Sequence, residues 1–164
     1  MTLPASANDL QLALFRQTIA SVAYRAAKAL RGVPADFAEF KAGPKTRTPG
    51  QILAHLGDLF DWALSQAEGK ETWHDSPAID WQAGSARLFA ALDEFDKYLA
   101  SGAAVAVPFT RLFCGAIADA HAHIGQINIL RGIAGCPVRA ENYSRADIVP
   151  GRVGAEQTPP EREF

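Results

Sequence analysis

A chain of 164 residues favours one domain, 1–164, with a single sizeable core. With 48% hydrophobic and 21% charged residues it has the balance of a soluble globular protein. A net charge of -2 leaves no basic footprint for nucleic acid, and no charge run marks a membrane surface or an acidic tail.

The opening MTLPASANDL has no basic segment followed by an apolar one, and no apolar run is long enough to span a bilayer. The expectation is a cytoplasmic protein without a membrane partner. Cys114 and Cys136 have neither CxxC nor zinc-ribbon spacing, so buried free thiols are expected of them.

Four segments read as helices. The first runs from about Asn8 to Leu30, with Leu10, Leu14, Phe15, Ile19, Val22 and Ala27 at helical spacing. Asn8 or Ser6 can cap it, and Gly32 and Pro34 end it. A crossing follows, with a short helical turn at DFAEF. Thr48-Pro49-Gly50-Gln51 fits a capping box that opens the second helix, which runs to about Glu68 with Gly69 as its stop. Its apolar stripe is Ile52, Leu56, Leu59 and Ala63, with His55 on the same side. Asp58 turns to the polar face with Gln51, Asp61 and Ser65, either as solvated surface or as a hydrogen-bond partner for an imidazole. Asp80 caps a third helix that reaches Ala100. The fourth begins near Phe109 or Thr110 and ends near Ala134, with Gly135 and Pro137 as its stop. From Val138 onward the chain reads as an extended arm over the surface. The fold class is all-α, a four-helix bundle with an extended C-terminal arm at 138–164.

The chemistry concentrates in DAHAHIGQINILRGIAG, Asp119 to Gly135. Leu112, Ala116, Asp119, His123, Ile127, Leu130 and Ala134 share one helical face. Asp119 and His123 therefore fall one turn apart within an inward apolar stripe. His121 points nearly the opposite way, in a row with Cys114, Ile117, Gly125 and Asn128. His55 is a similar intruder on the second helix. A buried carboxylate needs compensation. A divalent metal held by His55, Asp119 and His123 supplies it, and two imidazoles with one carboxylate leave positions open for chemistry. A hydrogen-bonded polar cluster without metal supplies it equally. Gln126 can reach the site or a neighbouring helix, and Arg131 suits an acidic residue or a helix end. Trp62, Trp73, Trp81 and Tyr24 read as core or as a pocket mouth. His74 has no legible partner and reads as exposed.

The fourth-helix stretch, with its H-x-G-Q pattern followed by L-R, resembles the DinB-like (DinB/YfiT) superfamily of four-helix bundles. TPGQILAHLGDL on the second helix resembles it too. The resemblance implies a divalent-metal centre in which His55 matches the second-helix ligand and His123 the last ligand. The position four residues earlier is often histidine in that family; here Asp119 hardens the site and lowers its charge by one. Zinc, nickel, iron or manganese are the expected metals. The resemblance also implies an enzyme, such as an S-transferase working with a low-molecular-weight thiol on a small-molecule substrate, or a hydrolase. No general base stands out, so the reaction and the catalytic residues stay unassigned. The alternative is a non-catalytic, stress-associated bundle that binds a small molecule or a partner. A strip of Gly115, Ala118, Ala122 and Gly125 suggests a homodimer, or packing within the chain.

Overall fold

The computed structural model describes residues 7–164, which leaves the Ser6 cap outside the described residues. Those residues form an all-helical bundle without a strand, as the patterning predicts. Helix α1 spans Ala7–Leu30, α2 Pro49–Ala67 and α3 Trp81–Ala100. The fourth long helix, α4, joins an α-helical turn, Phe109–Leu112, a π-helical segment, Phe113–Ile117, and a long α-helical run, Ala118–Ile133. The DFAEF turn is a 3-10 turn at Phe37–Glu39.

Local chemistry sets the ends of these helices. The Thr48 hydroxyl accepts from the Gln51 amide while the Gln51 side chain accepts from the Thr48 amide, so two orphan donors at the start of α2 are satisfied together. Asp80 accepts from the Gln82 and Ala83 amides at the start of α3. Gly69, Gly102 and Gly135 follow their helices with positive φ of 75°, 78° and 80°, the left-handed geometry that ends a helix without a Cβ clash.

The core is a continuous cluster to which every long helix contributes, including Ile19, Leu56, Phe60, Leu92, Phe95, Leu112, Ile117 and Ile127. Each such side chain contributes roughly 1.5–3 kcal/mol on burial. A polar tie joins α1 to α3: Arg16 makes a paired contact with the buried Asp96 at 2.9 and 2.7 Å.

Three expectations need correction. Leu10 and Leu14 are 62% and 68% exposed: the first turns of α1 reach the core only through the partly buried Leu12, and full burial begins at Phe15. The cysteines are free but not buried: Cys114 lies on the outward side of the π segment, and Cys136 is half-buried beyond α4. The small-residue strip is split, because the π segment rotates Gly115 toward Trp62, with a Cβ there meeting its ring at 3.0 Å, while Ala118 and Ala122 stay exposed.

The arm at 138–164 folds back along α1. Buried Glu141 accepts from the Tyr24 hydroxyl at 2.6 Å and from Lys28 at 2.7 Å, and Gln17 donates to the Ile148 carbonyl. An isolated bridge pairs Glu141 with Glu163. Among the described residues, no helix is long and apolar enough to cross a membrane.

Candidate metal centre

His55, Asp119 and His123 meet where α2 faces α4, and one ligand atom from each lies within 4.8 Å of the others. The Asp119 Oδ2 atom is 3.4 Å from His55 Nε2 and 3.5 Å from His123 Nε2. The two imidazole rings stand edge to face, 4.6 Å apart. The helical register that joins Asp119 and His123 on one face is therefore realised, and α2 brings His55 to them. The depth differs from expectation. The Asp119 side chain is 42% exposed, against 19% for His55 and 11% for His123. The centre of the α4 core stripe is Ala116, Ile117, Ala120, Ile124 and Ile127, and Asp119 stands at its rim. The desolvation argument for a compensating ion loses force accordingly.

The distances themselves carry more. A good N–H···O hydrogen bond to a carboxylate is about 2.7–2.9 Å, and both contacts here exceed that. Donors bonded at about 2.0–2.1 Å around a tetrahedral ion lie about 3.4 Å from one another, close to both contacts. The ring of His123 is also preset. Its Nδ1 lies 2.9 Å from the Gln126 Oε1 acceptor, and in the tautomer that donates from Nδ1 to that oxygen, Nε2 presents a lone pair on the side of Asp119. A lone pair facing a carboxylate oxygen is a poor hydrogen bond and a good pair of metal ligands. Two imidazoles and a carboxylate so placed could hold a metal ion.

The mouth of the centre is aromatic. Trp73, on the loop after α2, stands edge to face with His55 at 5.5 Å and with Trp62 at 5.8 Å. Trp81 instead donates to the Leu30 carbonyl, and Tyr24 holds Glu141. His121 faces away from the triad, toward Arg25, and burial together with that cation lowers its pKa. Arg131 binds helix ends as expected, donating to the carbonyls of Ala29 in the last turn of α1, of Arg31 just after it and of Cys136 beyond α4.

Sequence reasoning missed a second cluster. Asp58 is 2% exposed rather than solvated, and His74 has partners: its Nε2 lies 3.1 Å from Asp58 and 3.3 Å from Asp61. Asp58, Asp61 and His74 have ligand spacing. Yet Arg87 Nη2 stands 2.6 Å from both carboxylates, where a cation would sit. The guanidinium is the counter-ion, and Gly57 makes room for it, since a Cβ there would lie 2.3 Å from Arg87 Nη1. Asp58 also accepts from the Ser76 amide at 2.8 Å, so the cluster pins the loop that carries Trp73 over His55. Only the polar composition of α2 could have signalled it. The covering loop has no periodicity to read.

Comparison with family models, with curated proteins and with solved structures finds no match to this chain.

Proposed function

We propose that this chain is a divalent-metal-dependent enzyme with a four-helix bundle of the DinB-like type, in which His55, Asp119 and His123 hold the metal. The observation behind this reading is the triad's geometry: three ligand atoms gathered within 4.8 Å, at separations longer than good hydrogen bonds. A divalent ion with open positions lowers the pKa of a bound thiol or water and supplies a nucleophile at neutral pH. The chain's own residues do the positioning. Gln126 fixes the His123 ring, the Asp58–Arg87–His74 cluster holds the loop, and Trp73 with Trp62 walls one side. S-transfer from a low-molecular-weight thiol to a small electrophile suits this arrangement, because an ion that activates the thiol directly needs no separate base.

The reading includes a cytoplasmic setting and a homodimer. Ile129 and Ile133, exposed on α4 beside Ala118 and Ala122, support the homodimer. The second reading is a non-catalytic bundle with a structural polar cluster. On its side is the 3.4 Å Asp119–His55 contact, which joins the two helices without an ion.

Cobalt-loaded protein titrated with L-cysteine tests the enzyme reading. A thiolate-to-metal charge-transfer band that grows with cysteine in the wild type and is absent in His123→Ala is the expected result. Cobalt uptake without the band overturns the thiol assignment, and failure to take up cobalt overturns the metal assignment.

A further inference from the structure

On the face of α4 opposite the triad lies a cavity of about 360 Å³, walled by Ser21 and Arg25 of α1, His121 and Asn128 of α4, and Tyr143 of the arm. Its chemistry is unfinished. Arg16 and Arg87 have carboxylates, and Arg131 caps carbonyls. Arg25 has neither. Among the described residues it makes no ion pair, its buried Nε–H has no acceptor, and its guanidinium carbon lies 3.7 Å from the Tyr143 ring centroid. The Asn128 carbonyl oxygen is likewise buried without a partner. Glu141, the buried acid of the arm, is already committed to Tyr24 and Lys28. A partly buried cation without a counter-ion is costly, and native structures rarely leave such groups unsatisfied.

We infer that this cavity is an oxyanion site, distinct from the metal centre, for a small molecule carrying a carboxylate or a phosphate. The guanidinium over Tyr143 keeps its two Nη groups without a protein acceptor and so available for a forked contact, and the ring holds its plane, so little order is lost on binding. The Ser21 hydroxyl, a His121 ring N–H and the Asn128 carboxamide, turned to present its NH₂, complete a donor set suited to an acceptor-only group. The volume lies within the range of small-molecule sites, so the cavity takes a body attached to the anion as well as the anion itself.

The test is a two-dimensional NMR titration of the full chain, metal-free after dialysis, with inorganic phosphate and separately with sodium benzoate, at constant ionic strength in chloride. The Arg25 Nε–H resonance is expected to shift saturably with at least one probe, and the probe that saturates names the anion. Arg25→Gln, followed through the Asn128 side-chain amide, is expected to weaken binding about tenfold or more, with Arg25→Lys intermediate. Linear, unsaturating shifts with both probes overturn the proposal, and so does unchanged saturation in Arg25→Gln. The wild-type titration decides alone if that variant does not fold. Repeating it in His123→Ala keeps the result independent of the metal centre.

Discussion

Asp58 keeps its charge inside the protein because several donors reach it. Burial pushes its carboxyl pKa up; the Ser76 amide and hydroxyl and the Arg87 guanidinium outweigh that and hold it below the usual carboxylate range. A carboxyl depressed in the folded state stabilises the fold above its unfolded pKa, and that contribution disappears as pH falls through the folded value. Asp58→Asn is therefore expected to cost about 1.5–3 kcal/mol at pH 7 and to flatten the loss of stability at acid pH, both read from urea unfolding at a series of pH values. Equal acid sensitivity in variant and wild type would refute the assignment. Helical spacing correctly grouped Asp58 with Asp61 and away from His55, but it could not reveal that a loop closes over that face. That Asp119 and His123 share one face of α4 was legible because helical register is a local property. Their unequal depth was not, because it depends on how α4 rolls against α2.

At the scale of elements, the same division between local and distant causes holds. The Thr48 capping box, the Asp80 cap and the glycine stops depend on side chains within a few residues of each helix end, and each was legible. The π segment at Phe113–Ile117 was not, since it accompanies the packing of Trp62 on Gly115 across two helices. Gly57 shows how an element is tuned to a distant partner. Alanine at this helical position gains up to about 1 kcal/mol in propensity. Its Cβ also displaces Arg87 from the Ala54 carbonyl and the two aspartates, charged contacts of about 1.5–3 kcal/mol. Gly57→Ala is thus expected to destabilise the protein by about 1 kcal/mol and to weaken the near-ultraviolet dichroism of Trp73 as its loop loosens. A more stable variant would show that the cluster contributes less than helix propensity.

Across the whole molecule, the arm at 138–164 joins the bundle through a few strong contacts. Lys28 bridges Glu141 and Glu163, and the Phe164 amide donates to the Ala140 carbonyl. Burial and the adjacent Glu141 carboxylate raise the Tyr24 pKa, keeping its hydroxyl protonated as a donor. Glu141→Gln is expected to leave helix content unchanged while exposing the arm to limited proteolysis within 138–164 at lower protease concentration than the wild type. Equal resistance would mean that Val153 and the Gln17–Ile148 contact hold the arm without the acid. The all-α class and helix order followed from periodicity alone. The path of the arm did not, because its contacts join residues more than 100 positions apart in the chain.

The most direct test of the metal centre is elemental analysis of protein purified without metal-affinity resin, with His55→Ala and His123→Ala alongside. About one divalent ion per wild-type chain, lost in both variants while their helical dichroism persists, is the expected result. Wild-type protein that holds no ion after incubation with zinc, nickel and manganese would contradict it, leaving His55, Asp119 and His123 as a polar cluster between two helices.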